Sequence, residues 1–208
     1  MAVAVAAVLA ALAWTLRPAG TAEPSEFGAR PPTAGPAAQS PAGTEPGRAD
    51  ARGAPRSYAG AEPLDVRVPR VSLDAPIEAV GVAADGTVEV PDDADAVGWY
   101  RHGPPPGAPA GSAVLVGHVD DRTGDLGAFA RLYEVRAGDT IAVAREDAPP
   151  VRYEVTAREV VDKERLPAEV FRRDGRPVLT LITCAPPYDR ERGGYQRNLV
   201  VYAEPVRT

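Results

Sequence analysis

A mainly β domain of the barrel or sandwich class is what this 208-residue sequence predicts, on three observations. Short runs rich in Val, Ile, Thr and Tyr recur from Asp65 to Ala203, broken by turn signals such as Asp85-Gly86 and Ala137-Gly-Asp139. Only two stretches read as helical, and both are short. Residues 18–62 carry no hydrophobic periodicity, so the folding part begins near residue 63 and is long enough to bury one core.

Residues 1–17 are almost wholly apolar as far as Leu16, and their first side-chain charge is Arg17. A bilayer-spanning helix needs about twenty apolar residues, so this run reads as a signal peptide or a membrane anchor, and either means export. Gly20-Thr-Ala22 suits a small-residue cleavage site, whereas Trp14 suits an anchor at the interface. Residues 18–62 read as a disordered linker. Nine of the 23 prolines fall between Pro18 and Pro63, and a Pro/Ala/Gly-rich chain buries too little apolar surface to offset its entropy. Five arginines balance five acidic residues before Pro63, so the formal charge of -6 belongs to the domain at 63–208. That acidity argues against a nucleic-acid partner.

Within the domain, Asp65–Pro69 alternates polar and apolar residues, Ile77–Val82 follows Asp74-Ala-Pro76, and Thr87–Val90 follows the Asp-Gly turn. Trp99-Tyr-Arg-His-Gly-Pro reads as a turn. Ala113–Val116 is an apolar strand running into Gly117-His118; Thr140–Val143 and the long alternating Val151–Val160 follow. The helical stretches are Leu126–Leu132 and Glu164–Phe171, the second interrupted by Pro167. Val178–Cys184 and Asn198–Ala203 are the last strands, and Ala185-Pro-Pro187 is expected to end the first of them directly after the cysteine.

Cys184 is the only cysteine, and it has two readings. It is an inert hydrophobe at the end of a core strand, or a nucleophile at a strand-to-loop edge of the kind that carries catalytic groups. His102 and His118 are the only histidines. His118 ends an apolar strand as Cys184 does, and an imidazole beside a thiol lowers its pKa and shuttles a proton to a leaving amine. Arg197 opens the last strand; if the strands around the 185–196 loop are antiparallel, its guanidinium comes close to Cys184 and can hold an oxyanion or a carbonyl.

Thr180-Leu-Ile-Thr-Cys184 resembles the Thr-Leu-X-Thr-Cys signature of sortases, the cysteine transpeptidases of Gram-positive cell surfaces. Gly117-His-Val-Asp120, Gly127-Ala-Phe-Ala-Arg-Leu132, Arg136-Ala-Gly-Asp139 and Arg197–Ala203 are similar to sortase sequence in the same order. The forms Gly-His-Val-Asp and Asn-Leu-Val-Val-Tyr-Ala look closest to class F of actinobacteria. The resemblance implies a closed eight-stranded β-barrel with one or two short helices, with Cys184 as nucleophile, His118 as general acid/base and Arg197 as oxyanion or substrate-orienting group. It further implies cleavage of a Leu-Pro-X-Thr-Gly-like sorting signal on a surface protein between Thr and Gly, then transfer to an amine such as a peptidoglycan precursor. No cofactor is expected, and Asp120, Asp121 and Asp125 read as a solvated acidic loop rather than a metal site. The departure is Ala185-Pro-Pro187, where Gly-Gly or similar is expected. Two other classes stand beside this: another exported cysteine peptidase or hydrolase, although the Ser-X-Gly before Cys of L,D-transpeptidases is missing, and a non-catalytic tethered surface β-domain.

Overall fold

The computed structural model describes residues 24–32 and 62–206. Eight strands form a closed barrel: β1 (Pro63–Val68), β2 (Leu73–Val80), β3 (Val97–Tyr100), β4 (Ser112–Gly117), β5 (Thr140–Arg145), β6 (Ala148–Asp162), β7 (Val178–Asp189) and β8 (Gly194–Pro205). Their order around the barrel is β1-β2-β3-β4-β7-β8-β6-β5, with β2–β3 and β4–β7 parallel and the other neighbours antiparallel.

Alternate residues point inward: Val66, Leu115, Ile141, Leu181, Leu199 and Val201 are fully buried in the barrel core. Their strand neighbours Val114, Val116, Ile182, Val200 and Tyr202 form a second cluster on the outer face of β4, β7 and β8. Leu166, Val170 and Phe171, from the segment between β6 and β7, pack on that cluster. The run Val178–Thr183 is therefore buried on both faces, which is why it reads as continuous apolar sequence rather than as an alternation.

The two expected helical stretches are 3₁₀ turns, Ala128–Glu134 and the pair Lys163–Arg165 and Ala168–Phe171. Pro167 separates the last two, because a proline N–H is not there to continue the ladder. Arg136-Ala-Gly-Asp139 is a tight turn in which the Arg136 N–H donates to the Asp139 carboxylate at 2.6 Å and Gly138 has a φ of +86°. Arg70 reaches the same carboxylate at 2.5 Å.

Three local expectations are corrected. Thr87–Val90 forms only one isolated bridge, Val82 to Val88. The expected turn at Trp99–Pro104 starts two residues later, because Trp99 and Tyr100 end β3 and Trp99 is buried; the chain turns from Arg101, where the Gly103 N–H donates to the Tyr100 carbonyl at 3.0 Å. Nor does the chain leave the sheet after Cys184: β7 continues to Asp189, and Pro186 and Pro187, lacking N–H donors, cause only a register slip between Ala185 and Tyr188.

The expected linker meets a fourth correction over residues 24–32, which lie against the barrel. β6 pairs with β5 up to Glu154 and with β8 from Tyr153 to Asp162, so its second half has one side open. Phe27 fills that side, bridging Arg158 through both backbone hydrogen bonds, at 2.9 and 3.1 Å. An open strand side satisfied by distant chain is invisible to local composition. The expected signal peptide or anchor at 1–17, and the linker residues 18–23 and 33–61, lie outside the described residues.

Candidate active site

Strand register assembles the site. β4 and β7 run in parallel with Ser112 opposite Val178 and Val116 opposite Ile182, a constant offset. Carrying that offset two residues past the ladder brings His118 level with Cys184. The Thr183 hydroxyl donates to the Gly117 carbonyl at 2.8 Å, tying the end of β4 to β7 at that level. On the other side β8 runs antiparallel to β7, with Asn198 opposite Cys184 and Arg197 opposite Ala185. All three residues singled out from the sequence thus gather at one rim of the barrel. His102 does not: β3 runs antiparallel to β4 from Val97 opposite Gly117, so its continuation past Tyr100 lies at the other end of β4. There the His102 ring meets the Tyr100 ring edge-on at 5.6 Å.

The rim is partly shielded. Cys184 and His118 are both half-buried, and Thr183 is buried. The His118 Nε2 lies 2.8 Å from the Pro91 carbonyl, an acceptor only, so Nε2 carries the proton and Nδ1 holds the lone pair of the neutral ring. The His118 carbonyl accepts from the Phe129 N–H at 3.0 Å. Gly127 packs against that same carbonyl, where a Cβ would stand 2.6 Å away. The motif beginning at Gly127 thus holds the histidine's backbone. Arg197 donates its Nε to the Pro186 carbonyl at 2.5 Å, two residues beyond the thiol.

Burial pushes the Cys184 thiol up, and the positive charge of the nearby Lys163 ammonium pulls the other way. Asp120 adds to the upward shift. Lys163, the only lysine of the chain, was missed in the sequence because it begins the turn after β6, far along the chain from the cysteine. Tyr133 was missed too: its hydroxyl donates to the Cys184 carbonyl at 2.9 Å, and burial raises its pKa to about 12, so it stays a donor. Tyr195 donates to Asp120 at 2.5 Å and is likewise shifted upward by burial. Asp121 accepts from the N–H groups of Thr123 and Asp125 at 2.7 and 2.9 Å, serving its own loop. Among the described residues, no three His, Cys, Asp or Glu side chains converge as a metal set.

Beside the rim lies a cleft of about 640 Å³ between the Lys163–Arg165 turn and the β7–β8 hairpin, lined by Lys163, Arg192, Tyr195 and Arg197 among others. Chemically, the arrangement offers a half-buried thiol with an ammonium beside it, an imidazole level with it, and an open cleft next to it for a second reactant.

Comparison with known proteins bears on this arrangement. The family model described as the sortase domain matches residues 66–206. Among solved structures the chain is similar to sortase C-1 from Actinomyces oris (formerly Actinomyces naeslundii), at 26% identity and a TM-score of 0.54, over 69% of this chain and 71% of that one. It is also similar to the Group B Streptococcus pilus island 1 sortase C2, at 25% identity and a TM-score of 0.53, over 69% and 73%. Sortase C from Clostridium perfringens SM101, at 20% identity and a TM-score of 0.52 over 71% of each chain, shares the fold. No curated protein matches the chain.

Proposed function

The chain belongs to the sortase domain family, a transpeptidase type, and from that premise we propose that it cleaves a Leu-Pro-X-Thr-Gly-like sorting signal between Thr and Gly through a thioacyl-enzyme on Cys184. The Cys184 thiol gives its proton to His118 Nδ1 as its sulfur attacks the Thr carbonyl carbon, and the resulting oxyanion is held by Arg197. The carbon–nitrogen bond then breaks, and the leaving glycine amine takes its proton from His118. An acceptor amine attacks the thioester and gives a proton back to His118, the carbon–sulfur bond breaks to release the new amide, and the departing thiolate takes that proton to restore the thiol.

The observation that carries this reading is the offset of β4 against β7, which sets His118 and Cys184 at one level with Arg197 on the adjoining strand. The neutral His118 ring keeps its lone pair on Nδ1 while Nε2 is anchored on Pro91, so in this conformation Nδ1 is the nitrogen that exchanges protons. Arg197 has to turn from the Pro186 carbonyl toward the substrate, and both acceptors are carbonyl-type oxygens.

Within the family we assign class F, on Gly117-His-Val-Asp120 and Asn198–Ala203, although the similar solved structures carry sortase C names. The partners are surface proteins bearing the sorting signal and an amine acceptor such as a peptidoglycan precursor, with the domain held outside the cell at the membrane by residues 1–17 or released if they are cleaved. Among the described residues, no helix is long and apolar enough to cross a membrane.

Mass spectrometry of the protein mixed with a Leu-Pro-X-Thr-Gly peptide tests the chemistry. The expected product is a Cys184 adduct carrying the peptide up to Thr, labile to hydroxylamine, and passed to an added amine. A protein that releases no glycine fragment and forms no adduct at any pH between 6 and 9 is the non-catalytic β-domain instead.

A further inference from the structure

The segment at 24–32 is built to fit the open side of β6. The Arg158 N–H donates to the Phe27 carbonyl at 2.9 Å, and the Val160 N–H donates to the Glu26 carboxylate at 2.8 Å. The Phe27 ring lies 5.0 Å from the Arg158 guanidinium carbon. Arg30 makes two 2.9 Å hydrogen bonds to Glu159, whose carboxylate also accepts from the Tyr202 hydroxyl at 2.6 Å. Gly28 sits at a φ of +69°, and a Cβ there would stand 2.1 Å from the Thr156 carbonyl oxygen. Only glycine permits so close an approach at that backbone conformation.

The side chain at the centre of this contact is unusual. Arg158 is 4% exposed, and every acceptor its guanidinium has among the described residues is a backbone carbonyl or a hydroxyl. Its Nε and Nη2 take Ser25, with carbonyl contacts at 2.9 and 2.6 Å and a hydroxyl contact at 2.9 Å. Its Nη1 takes the carbonyls of Leu132, Tyr133 and Val135, at 3.1, 2.8 and 3.0 Å. Those three carbonyls close the Ala128–Glu134 turn, whose Tyr133 hydroxyl reaches the Cys184 carbonyl. One planar guanidinium therefore joins the N-terminal segment to the residue that holds the cysteine's backbone. With Ser25 gone, two of its three nitrogens lose their acceptors, and the guanidinium gains by swinging toward water and letting go of the turn.

We propose that residues 24–32 form a docked strap that positions the nucleophile: through Arg158 it fixes the turn carrying Tyr133, and Tyr133 fixes Cys184. Tyr133 and Arg158 are positioning residues in this scheme, since neither touches the substrate.

The test uses the full chain with Gly28→Val to lift the strap, Tyr133→Phe to cut the last link, and the double variant. Three quantities are measured: hydrogen exchange at the Arg158 and Val160 amides, the pH profile of Cys184 alkylation by iodoacetamide, and kcat and KM for cleavage of a sorting-signal peptide. Only the last rests on the sortase reading, so failure of that reading leaves the first two to decide. Gly28→Val is expected to speed exchange at both amides roughly a hundredfold by local opening. It is also expected to slow alkylation at pH 7 about threefold as the sulfur drifts from Lys163, and to lower kcat about tenfold with KM little changed. Tyr133→Phe should reproduce the alkylation and kcat losses without the exchange change, and the double variant should lose no more than either alone. Unchanged exchange in Gly28→Val would show that the strap is not held as described. Faster exchange with alkylation unaltered, or losses that multiply in the double variant, would reduce the strap to a stabilising edge strand.

Discussion

At Cys184 burial and a neighbouring ammonium act in opposite directions. Burial favours the neutral thiol, whereas the Lys163 ammonium favours the thiolate. Lys163→Met removes the second influence and leaves the first, so the midpoint of the alkylation–pH profile is expected to move further above the ordinary cysteine value; an unmoved midpoint would show that Lys163 does not act on the sulfur. Cys184→Ala is expected to abolish cleavage and transfer while leaving the melting temperature nearly unchanged, because a small half-buried side chain is lost at a rim. For the imidazoles, His118→Ala should cost on the order of 10² to 10⁴ in rate while His102→Ala costs little. Equal losses in peptide-cleavage assays would contradict the pairing read from the β4–β7 offset. Arg197→Lys keeps the charge but not the planar fork, and a loss of about 10² to 10³ in kcat is expected, with Arg190→Lys in the same hairpin near the parent value.

At the scale of elements, the site depends on the end of β4 keeping step with β7. The hydroxyl of Thr183 crosses from β7 to the Gly117 carbonyl just where the β4–β7 ladder stops. Thr183→Val keeps the shape and removes the donor, leaving a buried carbonyl without it, which costs about 1 to 3 kcal/mol. Calorimetry measures that cost. The rate of peptide cleavage is expected to fall more than the stability change requires, because the backbone beside His118 and that beside Cys184 lose a shared restraint. Much of this element was readable in sequence: a β-branched run closing on Thr-Cys, and another closing on Gly-His, both announce buried strands, although the first continues past its cysteine to Asp189. The parallel pairing of the two runs was not, since parallel and antiparallel strands bury the same residues and differ only in which chain direction the hydrogen bonds join.

Over the whole molecule, acid stability has an identifiable source in the Arg136–Asp139 turn. The Asp139 carboxylate is held below its ordinary value by the Arg70 guanidinium and the Arg136 N–H, against the opposing effect of burial. A depressed folded pKa means that this stabilisation is present above the unfolded carboxylate value near 3.8 and is lost as the pH falls through the lower folded value. The melting temperature of the parent should therefore drop more steeply below pH 4 than that of Asp139→Asn, which starts lower at pH 7. Parallel curves for the two proteins would place the acid sensitivity elsewhere.

What the sequence by itself determined is whatever local chemistry dictates: strands from β-branched periodicity, turns from Asp-Gly and Gly-Asp, a lone thiol at the close of an apolar run, and five ordered motifs whose family likeness extends over the domain. It could not determine what meets across long separations. The approach of Lys163 and Tyr133 to Cys184, the level of His118 against it, and the docking of residues 24–32 on β6 arise only when the barrel closes. The physical reason is the same in each case. A residue's own neighbours set its backbone preference, but the partner of a hydrogen bond or a charge is set by register, and register is a property of the closed sheet as a whole. Ser25-Glu-Phe-Gly28 shows the limit most clearly: flanked by prolines and alanines it reads as linker, and only the unpaired side of β6 turns its serine, carboxylate, ring and glycine into a fitted segment.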